Sequence, residues 1–214
     1  VLLLAGCRSA TPQPSMPPTT QRVSLDSLAI PVSAEENRAV SFTNKRSAFY
    51  YTQTHRNDHP EHAYFRGFNI GGRRIFSDYR LAVAGEALDP QTATVIVRPD
   101  ALIRTHPQGI TETVRLFDGQ DVVEVEVRGA KGDVTLQLAG ETVVHVRSGQ
   151  GIDEYTATQE GDASAVDHIV VGRSGNRFLI AVGSSREAAR THYDQAVAAA
   201  PAWQEARSAR LTAV

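Results

Sequence analysis

The sequence predicts an all-β fold, a large antiparallel β-sandwich followed by a C-terminal linker helix. Three observations predict it. Short alternating apolar runs, broken by turn residues, fill the chain from about Val40 to Val182. No strand–helix–strand alternation occurs in that stretch, which argues against a doubly wound parallel sheet. The pattern changes at Ser184, where an Ala-rich run with helical spacing begins. With 214 residues, 41% hydrophobic and 21% charged, the chain is long enough and apolar enough to bury a core. Twenty-two Lys plus Arg against 24 Asp plus Glu give a net charge of −2, without the basic field that nucleic-acid binding needs.

The N-terminal run Val1-Leu-Leu-Leu-Ala-Gly-Cys7 reads as the end of a secretory segment. Leu4-Ala-Gly-Cys7 resembles a bacterial lipobox, which implies lipidation at Cys7 and removal of what precedes it. Val1 in place of Met predicts a reading frame that begins upstream. Cys7 is the single cysteine, so no internal disulfide can form. The alternative is an apolar N-terminal strand with a buried thiol. Arg8 to Gln21 carries Pro12, Pro14, Pro17 and Pro18 among Ser and Thr, a composition that reads as an extended tether. Arg8 rather than Asp after the cysteine favours, by resemblance to Gram-negative lipoproteins, the outer membrane. Attachment there rests on the lipid anchor alone. The layout is thus residues 1–7 as signal end, 8–27 as tether, 28–183 as sandwich and 184–214 as linker helices.

Within the sandwich, Asp121-Val-Val-Glu-Val-Glu-Val-Arg128 alternates with period two and puts Val123, Val125 and Val127 on one face. Val114–Phe117 precedes it across Asp118-Gly-Gln120, a hairpin signal. Further strands are expected at Val40–Thr43, Ala48–Gln53, Tyr79–Val83, Thr94–Val97 and Leu102–Thr105. Others are expected at Asp133–Leu138, Thr142–Val146 and Arg177–Val182. Ser184-Ser-Arg-Glu187 reads as a capping box. The helix behind it carries Tyr193, Ala196, Val197 and Ala200 near one face. Pro201 is expected to end or kink it, with Ala202–Leu211 as a second piece bearing Trp203.

The densest chemistry lies between Tyr50 and Ile70. His55, His59 and His62 recur at spacings of four and three, with Asp58 and Glu61 beside them. On a helix that spacing would suggest zinc, but Asn57-Asp-His-Pro60 is a turn signal and removes the geometric meaning. Three readings stay open: a metal site, a polar loop tied down by hydrogen bonds, and a loop facing a ligand or a partner domain. Tyr64, Phe65, Phe68 and Tyr79 suggest either a sugar-stacking platform or core. Asp78 and Glu61 could pair for acid/base work, with no spacing to fix their separation. Gly71-Gly72 is a tight turn rather than a phosphate loop, since no Walker lysine follows and no helix opens there. No cofactor and no metal are expected.

Thr52-Gln-Thr-His55, Ala63-Tyr-Phe-Arg-Gly-Phe-Asn-Ile70 and Arg74-Ile-Phe-Ser-Asp-Tyr79 together resemble the N-terminal domain of bacterial glycogen-debranching-like glucosidases. That group is similar to mannosyl-oligosaccharide glucosidases and glucoamylases. Val83–Glu86, Ala101–Arg104, Thr111–Phe117 and the Trp203-bearing tail fit the same layout, so the similarity spans most of Val40 to Leu211. The resemblance implies a β-sandwich joined by linker helices to an (α/α)6 toroid that hydrolyses α-glucosidic bonds with inversion. The two catalytic carboxylates belong to that toroid, which needs several hundred further residues, so no catalytic residue is expected here. The parent protein would be the glycoside hydrolase, with the toroid of the same polypeptide as partner and an oligosaccharide as a second. The interdomain or substrate-rim residues expected on this basis are His55, His59, His62, Tyr64 and Arg66. Two other functions fit less of the sequence. One is a free-standing lipoprotein with a carbohydrate- or protein-binding sandwich. The other is a small metal-dependent enzyme built on the histidines.

Overall fold

A computed structural model describes residues 23–159 and 162–213, with side chains at all of these except 162–164. The lipobox with Cys7 and most of the expected tether lie outside the described residues. The first strands are β1 (Ile30–Val32), β2 (Ala39–Thr43), β3 (Ala48–Gln53), β4 (Gly67–Ile70) and β5 (Arg73–Phe76). Next come β6 (Asp78–Val83), β7 (Glu86–Ala87), β8 (Thr94–Arg98), β9 (Ala101–Thr105), β10 (Thr111–Leu116) and β11 (Val122–Arg128). β12 (Val134–Ala139), β13 (Val143–Gly149), β14 (Ile152–Gln159), β15 (Asp162–Ser174) and β16 (Arg177–Gly183) complete the sheets, and helix α1 (Arg186–Thr212) follows.

The fold is an all-β antiparallel sandwich with one C-terminal helix. A nine-stranded sheet, in the order β1-β8-β9-β10-β11-β16-β15-β14-β13, forms one layer. The other layer is split into a four-stranded sheet, β2-β3-β4-β5, and a three-stranded sheet, β12-β6-β7. Alternation sets the faces. Val123, Val125 and Val127 of β11 turn into the core between the layers, with Val114, Phe178 and Ile180 from neighbouring strands. Phe68, Phe76 and Tyr50 close it from the four-stranded sheet. Val122, Val170, Leu179 and Ala181 point the other way and meet Ala189, Tyr193, Ala196 and Ala200 of α1. The nine-stranded sheet is therefore covered on both faces along β11, β15 and β16. That explains why Phe178–Val182 is a continuous apolar run and not an alternating one.

Two glycines let the helix come close. A Cβ on Gly172 would overlap the Tyr193 phenol ring, and one on Gly183 would overlap the backbone at Ala189. Helix α1 departs from the sequence expectation in three ways. Its N-cap is Ser185, whose hydroxyl accepts from the Ala188 N–H at 3.1 Å. Glu187 therefore stands one place short of the reciprocal position in a capping box. Pro201 neither ends nor divides the helix, which runs unbroken to Thr212. Proline costs it the bond to the Val197 carbonyl, and the half beyond is held by tertiary contacts instead. Trp203 packs on Phe117 at 5.5 Å between ring centroids, and Arg207 and Arg210 both reach Asp118. Val197 lies on the exposed side, not with Tyr193. No described helix is long and apolar enough to cross a membrane.

The folded body also begins before Leu28. Leu25–Leu28 forms a 3-10 turn capped by Ser24, Asp26 pairs with Arg98 at 2.9 Å, and the Val23 N–H donates to Thr212 O. The last residues of the expected 8–27 tether thus pack against the sandwich and the end of α1.

Replacing Gly172 with Ala is expected to lower stability by about 1–3 kcal/mol, because the added methyl group forces Tyr193 off the sheet. In a Tyr193→Ala background the same change is expected to cost much less. Urea unfolding of the four variants measures the coupling, and additive costs would contradict this packing.

Candidate functional site

The segment after β3 is held from beneath by a dense set of hydrogen bonds. The Asn57 side-chain oxygen accepts from the Gln53 N–H at 2.9 Å, and its amide donates to Asp78 Oδ2 at 3.1 Å. The Arg66 guanidinium donates to Asn57 O at 2.8 Å. Asn37 Oδ1 accepts from the N–H groups of His55 and Arg56. Pro60–His62 makes a single 3-10 turn, with proline at its start where its missing N–H costs nothing. These bonds explain why the Asn57-Asp-His-Pro60 stretch is a defined loop and not a helix.

The expected site residues separate in space. His59 is exposed, and its ring lies 4.7 Å from that of half-buried His62, which in turn packs 5.6 Å from Tyr51. Tyr64 is 73% exposed and Phe65 48%, and their rings meet edge to face at 5.2 Å. Arg66 is half-buried and serves the loop. His55 does not join them at the rim, because it is 3% exposed. Its Nδ1 contacts Thr54 Oγ1 at 3.1 Å. Burial pushes the His55 imidazole below its ordinary value, against the pull of the Ala93 backbone. Among the described residues no group of three His, Cys, Asp or Glu side chains is placed to hold a metal ion. Of the four aromatics considered as a platform, Phe68 and Tyr79 are core, while Tyr64 and Phe65 face solvent. Beside Tyr64 lies a polar hollow of about 260 Å³ lined by Asn69, Arg73, Arg74, Thr142 and Gln159.

Sequence reasoning did not find the charged centre beneath the loop. Arg104 of β9 and Glu112 of β10 form an ion pair at 3.0 Å, both at least 94% buried by side chain. Arg104 Nε donates to Thr54 O at 2.9 Å and Nη2 to Gln53 O at 3.0 Å. Glu112 also accepts from the Tyr79 hydroxyl and contacts His106 Nε2 at 3.2 Å. Burial alone would raise the Glu112 carboxyl. The Arg104 charge and the hydrogen bonds from His106 and Tyr79 outweigh it and hold the group at about 2. Two residues eight apart across a hairpin carry no motif, so only the register of β9 on β10 reveals the pair.

This centre floors a cleft of about 550 Å³ where the second layer is split. The walls are His55–Asp58, the start of β6, and Ala87–Gln91 from the end of β7 onward. No family model matches the chain, and neither a curated protein nor a solved structure does.

Glu112 lies below its ordinary value of 4.5 when folded, so its stabilisation is complete above about pH 4.5 and fades as pH falls toward 2. Glu112→Gln is expected to cost about 3–5 kcal/mol near neutrality, since Arg104 is left buried and uncompensated. Urea unfolding followed down to about pH 2 should show variant and parent converging. A gap independent of pH would contradict the assignment.

Proposed function

We propose that this chain is a non-catalytic β-sandwich module of a membrane-anchored glycoside hydrolase of the α-glucosidase or glycogen-debranching-like kind. In that reading it supports an (α/α)6 catalytic domain of the same polypeptide, and its 59–66 loop forms part of the active-site rim. Cys7 carries the lipid that attaches it to the cell envelope. The observation that carries the reading is the pair Tyr64 and Phe65. Two large aromatics stand in solvent on a loop braced from beneath by Asn57 and Arg66. Exposed aromatic surface on a rigid support is what a sugar ring or a neighbouring domain requires. The polar hollow next to Tyr64 supplies amide, hydroxyl and guanidinium groups for hydroxyls. The resemblance in Thr52–Tyr79 falls on this same loop and its supports.

Asp78 is engaged by Asn57 and by the Tyr79 N–H, and Glu112 is locked to Arg104. Replacing Tyr64 and Phe65 together by Ala is expected to raise KM for a malto-oligosaccharide about three- to tenfold in the complete polypeptide. kcat and melting temperature should stay the same, because neither side chain is core. Unaltered KM, or no glucosidase activity in the complete polypeptide, would sink the reading.

A further inference from the structure

The cleft between the two small sheets is separate from the Tyr64 rim, and its construction points to a ligand of its own. Three of its lining residues, His55, Arg104 and Glu112, are at least 95% buried. A buried polar side chain is normally satisfied by the protein. Here Arg104 uses only three of its five N–H donors. One edge of β6 is also incompletely covered. β12 pairs with all six residues of β6, whereas β7 pairs only with Ala82 and Val83.

The charges define the class of ligand. Arg56 and Asp58 pair at 3.3 Å on one wall, and Arg104 and Glu112 pair on the floor. What remains is exposed Arg80 against half-buried Asp78, which accepts from the Asn57 amide and the Tyr79 N–H, and exposed Asp89, which accepts from the Gln91 N–H. A phosphate or carboxylate would meet Asp58, Asp78 and Asp89, and an ammonium group would meet Arg56, Arg80 and Arg104. A neutral molecule with many hydroxyl groups meets neither penalty and can use donors and acceptors together. Leu88 and Pro90 add an apolar stretch suited to the C–H face of such a molecule. The volume falls within the range of roughly 300–1,000 Å³ typical of small-molecule sites.

We propose that this cleft binds a neutral polyhydroxylated ligand of mono- to disaccharide size, in contact with Arg80, Asp78 and the floor formed by His55 and Arg104. The site stands whether or not the chain belongs to a glucosidase.

The test is titration of the whole chain with glucose, maltose and myo-inositol, with glucose 6-phosphate and glucosamine as charged controls. Calorimetry gives affinity and amide NMR gives location. Saturable binding of at least one neutral compound is expected at about 10 mM or below, and weaker binding of both charged controls. Amide shifts should centre on residues 55–58, 78–81 and 87–91. Arg80→Ala, an exposed change, should weaken binding about tenfold, and Gln91→Ala should weaken it less. Tyr64→Ala should leave it unchanged. No saturable binding of any neutral compound, equal binding of the charged controls, or indifference to Arg80→Ala would overturn the proposal. So would shifts confined to Tyr64–Arg74, and that last result would favour the rim instead.

Discussion

Three separately hydrogen-bonded sheets meet at one buried ion pair. Arg104 stands in the nine-stranded sheet, pairs there with Glu112, and donates to Gln53 O at the end of β3 in the four-stranded sheet and to Thr54 O just beyond it. Tyr79 of the three-stranded sheet closes the set by donating to the same carboxylate. In a low-dielectric interior these bonds are strong when complete and costly when broken. The pair does more than join layers. By taking the Gln53 and Thr54 carbonyls, Arg104 fixes where β3 stops and the chain turns outward. Everything the loop presents depends on that exit.

The loop then divides its residues between two tasks. Asn57, Arg66 and the backbone of His55 and Arg56 are spent on bracing. Tyr64 and Phe65 are left over for contact. A surface ordered in advance loses less entropy on binding than one that must be ordered by its partner. The same division explains why the histidines carry so little chemistry. His59 packs at a tilt on His62 and His62 on Tyr51, while His55 is drawn under the loop.

The architecture was legible where one face of a strand is apolar and the other polar. Val123, Val125 and Val127 announced β11, and Gly71-Gly72 announced the turn that joins β4 to β5. β14 and β15 were not legible. In β15, Ile169 and Val171 face the core between the layers, while Val170 and Gly172 face the helix, so no alternation survives. β14 begins Ile152-Asp-Glu-Tyr155, a polar string held by its neighbours and not by its own pattern. The acidic positions of β11 were not singled out. Glu124 and Glu126 are both buried against Arg115, with bonds of 2.9 and 3.0 Å. Glu124 Oε2 makes no hydrogen bond, Arg177 approaches it only to 3.5 Å, and burial pushes the group up. Partners that lie across a sheet leave no trace in local spacing. The exposed Tyr64 was legible as a residue of interest, whereas the cleft beneath the loop was not, because residues from five separate stretches of chain assemble it.

Asp118 sits on the turn between β10 and β11 and accepts from both Arg207 and Arg210, at 2.5 and 2.6 Å. Arg207 also donates to Thr43 O at the end of β2. Asn44, next in the chain, bonds Gln120 O, Asp121 and the Gly119 N–H. The last turns of α1 are thus tied at once to a turn of the nine-stranded sheet and to a turn of the opposite layer. In mechanical terms the helix end is a handle rather than a flap. Any pull or twist delivered there is divided between the two layers from the outset and reaches the whole sandwich as a single body.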